Sequence, residues 1–117
     1  IPTVTVSADK NPSFSTSPGN ATQDKVFLLS IVEANKYFKN DEARKCVPTQ
    51  YAISNKAFTR EVDGKVTCWW WLRSPGDISE YAANVFYVGN VNDTGNFVNY
   101  GHIAVRPALY IDLNLLP

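Results

Sequence analysis

Three consecutive tryptophans, Trp69 to Trp71, constrain the fold of this chain more than any other feature of its sequence. With Leu72 they form an apolar run typical of a β-strand, in which successive side chains point to opposite faces. Alternation predicts Trp69 and Trp71 on one face and Trp70 on the other. Because each indole ring buries a large area, at least one face belongs to the core. A ring on the opposite face is a candidate platform for stacking against a sugar.

Short helices are predicted in the first half of the chain. Ser30 and Glu33 have the spacing of a helix capping box. A proline and a threonine at positions 48 and 49 are a typical start for a further helix, from Gln50 to about Asn55. Tyr51 and Ile53 are its candidate core residues.

Short strands and turns are predicted in the second half. The pair Asp63-Gly64 favours a hairpin with a type I′ turn. We expect a sharp turn at residues 73–76, a strand at Val85–Val88 and a turn at residues 92–96. Val105–Asp112 is predicted to close the chain as a strand. Helices followed by short antiparallel strands and long loops define an α+β fold class.

Length and composition indicate one compact domain without a nucleic-acid partner. The chain has 117 residues, 44% of them hydrophobic, and a formal net charge of zero. We assign residues 1–23 to an N-terminal arm and loop and residues 24–117 to the domain.

A neutral chain lacks the basic surface through which proteins bind nucleic acids and anionic membranes. No apolar run approaches the roughly 20 residues of a membrane span, so no direct membrane insertion is expected. The oligomeric state is left open.

Positive charge is absent from a long C-terminal stretch. No lysine or arginine lies between Arg73 and Arg106, whereas nine of the eleven basic residues lie within residues 10–65. Because solvated surfaces normally carry lysines, this stretch is either buried or has a surface selected for something other than solubility. Residues 81–105 are rich in aromatic residues, asparagine and glycine, a composition typical of binding loops. An ordinary antiparallel sheet with polar turns has the same composition.

Catalytic and metal-binding patterns are weak throughout the chain. His102 is the only histidine and has no nearby serine or cysteine nucleophile, which favours a surface contact over catalysis. Asp77 and Glu80 lie three residues apart in a loop, where two solvated charges are a better interpretation than a catalytic pair. We therefore predict a protein that is not an enzyme and that uses no metal and no cofactor.

The two cysteines, Cys46 and Cys68, can form at most one disulfide and are too few for a cysteine-only metal site. Two interpretations stay open. The thiols are small buried side chains, or they form a disulfide that closes the loop from Val47 to Thr67. Export from the cell would favour the disulfide.

Two arginines have a structural pattern. Arg73 and Arg106 each stand at the end of an apolar strand, and each is followed by a proline within two residues. The planar guanidinium group suits binding to loop carbonyls or to a carboxylate through paired hydrogen bonds. We predict structural roles for both arginines and for the three tryptophans.

Several segments carry a resemblance to a bacterial domain family of unknown function. They are Asp24 to Ser30, Cys46 with the residues from Pro48 to Ala52, Trp69 to Gly76, and Val105 to Leu109. The resemblance covers nearly the whole chain from about Asn11. The C-terminal part is similar to the C-type lectin-like fold shared with formylglycine-generating enzymes, whose copper-binding cysteine pair has no counterpart here. Family members usually have a further N-terminal half, which the resemblance implies is lacking in this chain.

Some members of that family resemble variable proteins of diversity-generating retroelements, in which adenine-directed mutagenesis randomises AAY codons. A codon randomised in this way cannot encode Lys, Glu, Gln, Met or Trp, and residues 81–105 contain none of these. Asparagines between Asn84 and Asn99 are the residues expected at unmutated positions. The resemblance implies a display surface between two invariant segments, residues 69–76 and 105–109. It also implies an exported or cell-surface protein of a bacterium, or one encoded by a phage.

We predict a non-catalytic display domain that binds a protein or another macromolecular ligand through residues 77–102. The alternative is a carbohydrate-binding module of the bacterial cell envelope that uses a ring from Trp69 to Trp71. Ala83, Val85 and Val98 are expected to face inward, and mostly buried display positions would contradict the prediction. The predicted ligand-binding positions are Asp77, Ile78, Tyr81, Phe86, Tyr87, Asn92, Asp93, Thr94, Asn96, Phe97, Asn99, Tyr100 and His102.

Overall fold

The computed structural model describes all residues from Ile1 to Pro117. The strands are β1 (Val4–Val6), β2 (Thr22–Asp24), β3 (Thr59–Val62), β4 (Lys65–Cys68), β5 (Trp70–Pro75), β6 (Tyr81–Val85) and β7 (Val91–Phe97). The helices are α1 (Ile31–Tyr37), α2 (Asp41–Arg44) and α3 (Gln50–Ser54), with a 3₁₀ turn at Leu113–Leu115. The strands form three antiparallel sheets, β1-β2, β3-β4 and β5-β6-β7. The predicted α+β class is confirmed. None of the helices combines the length and apolar character of a membrane span.

The core lies between α1 and one face of the β5-β6-β7 sheet. Burial alternates along β5, so that Trp70 is fully buried whereas Trp69 and Trp71 are partly exposed, as the strand pattern predicts. Phe38, just after α1, packs edge-on against Trp70 with ring centroids 6.3 Å apart. The buried hydrophobic cluster consists of Leu29, Ile31, Ala34, Trp70, Leu72, Ala83 and Val85.

The predicted capping box starts α1. The Ser30 hydroxyl accepts from the backbone N–H of Glu33 at 3.1 Å, and the Glu33 carboxylate accepts from the N–H of Ser30 at 3.0 Å. The next N–H, that of Ile31, donates to the hydroxyl of Ser74 on β5 at 2.9 Å. Satisfying these otherwise unpaired helix donors stabilises α1 and fixes its N-terminus against β5.

Two predictions for α3 have different outcomes. Thr49 is its N-cap and accepts from the N–H of Ala52, so the predicted start is confirmed. The predicted core residues Tyr51 and Ile53 are wrong, because Tyr51 is 79% exposed and Ile53 is 43% exposed. A helix of five residues buries none of its side chains here, and its position on the surface overrides the hydrophobicity of the two residues.

The β3–β4 hairpin has the predicted turn, with positive φ at both Asp63 (50°) and Gly64 (81°). The turn predicted at residues 73–76 is wrong, because β5 continues through Pro75. An irregularity in the register between Trp71 and Pro75 lets this edge strand include a proline.

The remaining strands are shifted from their predicted positions. β6 ends at Val85, where a strand was predicted to begin, and the turn that follows has Gly89 at φ 89°. β7 runs through the turn predicted at residues 92–96, since Gly95 at φ 82° accommodates a register shift within the strand pair. Val98 was expected to face inward and is exposed. The predicted last strand, Val105–Asp112, is reduced to one isolated bridge, between Ala108 and Phe27.

Arg73 connects the N-terminal arm to the core. Its guanidinium group donates to the carbonyls of Ser7 at 3.0 Å and Leu28 at 2.8 Å. It also forms ion pairs with the carboxylates of Glu33 and Asp9. These four partners come from the arm, from the segment before α1 and from α1 itself, so one side chain fixes three segments.

Asp9 gives this cluster a dependence on pH. Burial raises its pKa, but hydrogen bonds from Ser30 at 2.6 Å and Ser7 at 2.7 Å, together with Arg73, outweigh burial and hold the pKa below 3.8. Because the pKa of Asp9 is lower in the folded than in the unfolded protein, its carboxylate stabilises the fold at pH values above the unfolded pKa. This contribution is lost as the pH falls through the folded pKa.

We expect Asp9→Asn to lower the free energy of unfolding at pH 7 by about 1.5 kcal/mol. The difference from wild type should shrink below pH 4, as measured by urea unfolding from pH 7 to pH 3. A difference that is independent of pH would contradict this assignment.

Candidate functional site

The outer face of the β5-β6-β7 sheet, opposite the core, carries a row of polar and aromatic side chains. In the strand register Trp71 pairs with Asn84, and Asn84 pairs with Asn92. Asn84 is fully buried although it lies on the outer face. The indole N–H of Trp69 donates to the Asn84 side-chain oxygen at 2.5 Å, and the ring of Trp69 thereby lies against the sheet.

Three asparagine side chains form a network under Trp69. The Asn84 amide donates to the Asn96 oxygen at 2.8 Å, and the Asn92 amide donates to the oxygens of Asn84 at 3.1 Å and Asn96 at 3.2 Å. The Asn92 oxygen accepts from the N–H of Gly95 at 3.3 Å. Asn92 and Asn96, both predicted ligand-binding positions, are half-buried, and their side chains form hydrogen bonds with each other and with Asn84. They are therefore better placed to hold Trp69 than to contact a ligand.

Aromatic rings from distant parts of the chain surround Trp69. Phe86 and Tyr87 lie with ring centroids 5.1 and 5.9 Å from Trp69. Phe58 stacks on Trp69 at 6.0 Å, and it also contacts Tyr100 at 5.6 Å and His102 at 4.9 Å. We call this set the aromatic patch: Phe58, Trp69, Phe86, Tyr87, Tyr100 and His102. Its rings are partly or mostly exposed.

Phe58 is the member of the aromatic patch that the sequence does not indicate. It lies between α3 and β3, outside residues 77–102, and its backbone N–H donates to the carbonyl of His102 at 2.7 Å. The side chain of His102 contacts the carbonyl of Lys56 at 3.1 Å. These long-range contacts bring the segment around Phe58 next to the segment around His102. No local sequence pattern near Phe58 predicts them.

One side of the aromatic patch borders an open cleft of about 490 Å³. The guanidinium group of Arg60 lies over the ring of Tyr87, 4.7 Å from its centroid. The side-chain oxygen of Asn90 is buried and has no hydrogen-bond donor. The cleft therefore offers ring faces and a cation. Its lining residues are Arg60, Trp69, Phe86, Tyr87, Val88 and Asn90.

Other predicted positions lie at the opposite end of the β6–β7 pair. Tyr81 is directly opposite Phe97 in the register, and their rings pack edge-on at 4.6 Å. The carboxylate of Asp93 accepts from the hydroxyl of Ser13 at 2.5 Å, and its carbonyl accepts from the Asn11 amide at 2.7 Å, so the arm occupies this side chain. The exposed members outside the aromatic patch are Asp77, Ile78, Thr94, Phe97 and Asn99.

The predicted positions thus separate into two groups, one at the aromatic patch and one at the far end of the sheet. No member of the set is fully buried: each is exposed or half-buried. The exposure that a display surface requires is present, and the densest cluster of rings is at the aromatic patch.

The residues predicted to be structural lie on or behind this sheet. Arg106 lies over the rings of Trp70 at 4.8 Å and Phe38 at 4.9 Å, and donates to the carbonyl of Arg44 at 3.4 Å. Trp70 donates to the same carbonyl at 3.1 Å. Trp71 lies half-buried over a shallow hollow on the outer face, away from the rings around Trp69.

Fold and site together define a class: a small α+β domain with an aromatic patch and an asparagine network on the outer face of a three-stranded antiparallel sheet. The chain belongs to the DUF6273 family, a domain of unknown function, whose family model matches residues 1–113. The predicted membership of a domain family of unknown function is confirmed, and the match includes the N-terminal arm. No curated protein and no solved structure matches the chain.

Proposed function

We propose that this protein is a non-catalytic domain that binds a protein or another macromolecular ligand through the aromatic patch. The observation that carries the proposal is the ring cluster around Trp69, held on an outer sheet face by the buried amide of Asn84. Clustered aromatic rings at a surface are typical of interaction sites. Tryptophan, tyrosine and arginine are also the residues that most often dominate binding energy.

Charge and hydrogen bonding around the aromatic patch support the same proposal. Lysine, which interfaces disfavour, is absent from residues 74–105, and the cleft has one cation, Arg60. The buried oxygen of Asn90 has no donor, which costs free energy in the unbound protein.

The proposal includes the C-type lectin-like architecture and the diversification of residues 77–102 by a retroelement. Exposed or half-buried side chains at the predicted positions support it, because varied residues there would leave the core cluster intact. Asn84 is different, since its buried side chain both accepts from the indole N–H of Trp69 and donates to Asn96, and neither an apolar side chain nor an ionised carboxylate can do both. Naturally diversified copies of this domain should therefore keep Asn84.

A reverse transcriptase gene beside an adenine-rich near-copy of the codons for residues 69–109 would support diversification. An exported or cell-surface location in a bacterium, or in a phage-encoded protein, is part of this proposal.

A paired substitution tests which end of the sheet binds. Tyr87→Ala in the aromatic patch is expected to weaken binding at least tenfold, about 1.4 kcal/mol, because the ring contacts Trp69 and borders the cleft. Phe97→Ala, at the far end, is the matched control and should change affinity less than twofold. The measurement is biolayer interferometry against ligands selected from an array of purified bacterial surface proteins. A larger loss with Phe97→Ala would move the site to the far end, and no loss with either variant would contradict binding through this face.

The second candidate is a carbohydrate-binding module of the cell envelope. The cleft favours it, because ring faces suit the apolar face of a sugar, while the guanidinium group of Arg60 suits its hydroxyl groups. Trp70 is fully buried, so the stacking ring in this alternative is Trp69. A glycan array separates the two candidates, since the protein-binding domain should give no sugar signal. A sugar signal that Tyr87→Ala removes would replace the first proposal with the second.

A further inference from the structure

Cys46 and Cys68 face each other across an isolated antiparallel bridge. The N–H of Cys68 donates to the carbonyl of Cys46 at 2.8 Å. Residues directly opposite in such a pair project their side chains to the same side, with Cα atoms about 5.5 Å apart. That separation lies within the range that disulfides span. The sulfur of Cys46 also lies 3.8 Å from the carbonyl oxygen of Val47, the next residue along the chain.

The two thiols differ in exposure and in acidity. Cys46 is half-buried, whereas Cys68 is 1% exposed. The neighbouring thiol of Cys68 lowers the pKa of Cys46, against the effect of burial, and the guanidinium group of Arg106 contributes to the lowering. The proximity of Cys46 and burial raise the pKa of Cys68. Cys46 is therefore the more accessible and the more acidic thiol, and Cys68 is shielded from solvent.

We propose that Cys46 and Cys68 are a reactive thiol pair that is oxidised to an intramolecular disulfide by exchange with a disulfide compound such as oxidised glutathione. The Cys46 sulfur attacks one sulfur of the oxidant, which breaks the oxidant's S–S bond and releases one thiolate. The released thiolate takes the proton of Cys68. The Cys68 sulfur then attacks Cys46 and displaces the second thiolate of the oxidant. The protein loses two electrons and two protons, and the oxidant is reduced to two thiols.

The bond would close the loop of residues 47–67, which contains α3, β3 and most of β4. This loop also carries Phe58 of the aromatic patch and Arg60 of the cleft. Closing it restricts the unfolded chain, so the melting temperature should rise on the order of 10 °C after oxidation. Modification of this pair is independent of the ligand-binding proposal, because its test needs no ligand.

The test uses the full chain, reduced and then incubated with oxidised glutathione at neutral pH. Intact-mass measurement should show the loss of two hydrogen atoms from the monomer, and thiol titration should fall from two groups to none. Cys68→Ser should stop at a mixed disulfide carrying one glutathione on Cys46. Cys46→Ser should react at least roughly tenfold more slowly, because Cys68 is shielded.

Several outcomes would overturn the proposal. One is wild-type protein that keeps both thiols through a titration of oxidised to reduced glutathione. Others are conversion only to disulfide-linked dimers and equal reaction rates of the two serine variants. The wild-type mass and the melting temperature with and without reductant remain decisive even if a serine variant fails to fold.

Discussion

Replacing Trp70 with alanine is expected to lower the free energy of unfolding by about 3–5 kcal/mol, the range for removing a large aromatic side chain from a core. The ring is fully buried and packs edge-on against Phe38. Its N–H donates to the carbonyl of Arg44, and the guanidinium group of Arg106 lies over its face. The substitution leaves a cavity between α1 and the sheet and removes three specific contacts at once.

Trp71→Ala is the matched control for Trp70→Ala. Trp71 is the next residue of β5, but its ring lies half-buried on the outer face of the sheet. We expect a cost of about 1 kcal/mol, because only part of its area is removed from water. Urea unfolding followed by circular dichroism gives both values. If the two variants lost similar stability, the assignment of the core to the Trp70 side of β5 would be wrong.

Features set by neighbouring residues were predictable from the sequence. Alternation along β5 requires only the two-residue period of a strand, and it placed Trp70 inside. The capping box at Ser30 and the turn at Asp63-Gly64 depend on side chains within four residues of each other. Local chemistry decides such elements before any tertiary contact forms, so a single sequence is enough to find them.

Strand limits in residues 73–97 could not be read from local patterns. Gly95 and the asparagines around it are typical of a turn, yet they lie within β7, where Asn92 and Asn96 pair with β6 on either side of a register shift and the N–H of Gly95 donates to the Asn92 side chain. Pro75 ends β5, as its residue type favours, yet Arg73 and Ser74 before it stay in the strand instead of turning, and the N–H of Arg73 donates to the carbonyl of Leu29. In both cases long-range hydrogen bonds outweigh local propensity.

The candidate site was predictable only in outline. The absence of lysine and arginine between Arg73 and Arg106 indicated an unusual surface. It did not indicate that Asn92 and Asn96 would form hydrogen bonds with Asn84 on the outer face of the sheet. Nor did any pattern associate Phe58 with these residues, since contacts between rings distant in sequence depend on the finished fold.

Arg73→Met is expected to cost about 3–5 kcal/mol, because it removes one partner from a largely buried group of charges. The side chains of Arg73 and Glu33 are 18% and 15% exposed. Without the guanidinium group, the carboxylates of Glu33 and Asp9 lose their cation and the carbonyl of Leu28 loses its donor. Methionine keeps much of the aliphatic packing of Arg73, so the decrease in the free energy of unfolding measures the lost charge and hydrogen bonds.

Arg106→Met is the matched control for Arg73→Met. Arg106 lies over two rings and makes one long hydrogen bond to a carbonyl, without a carboxylate partner. Its loss should cost about 1 kcal/mol. In the double variant Arg73→Met with Glu33→Gln, the loss should be smaller than the sum of the single losses, because glutamine carries no charge to leave unpaired. Guanidinium unfolding of all four variants at pH 7 measures the coupling. Additive losses, or equal costs for the two arginines, would show that Arg73 does not stabilise the fold through its carboxylate partners.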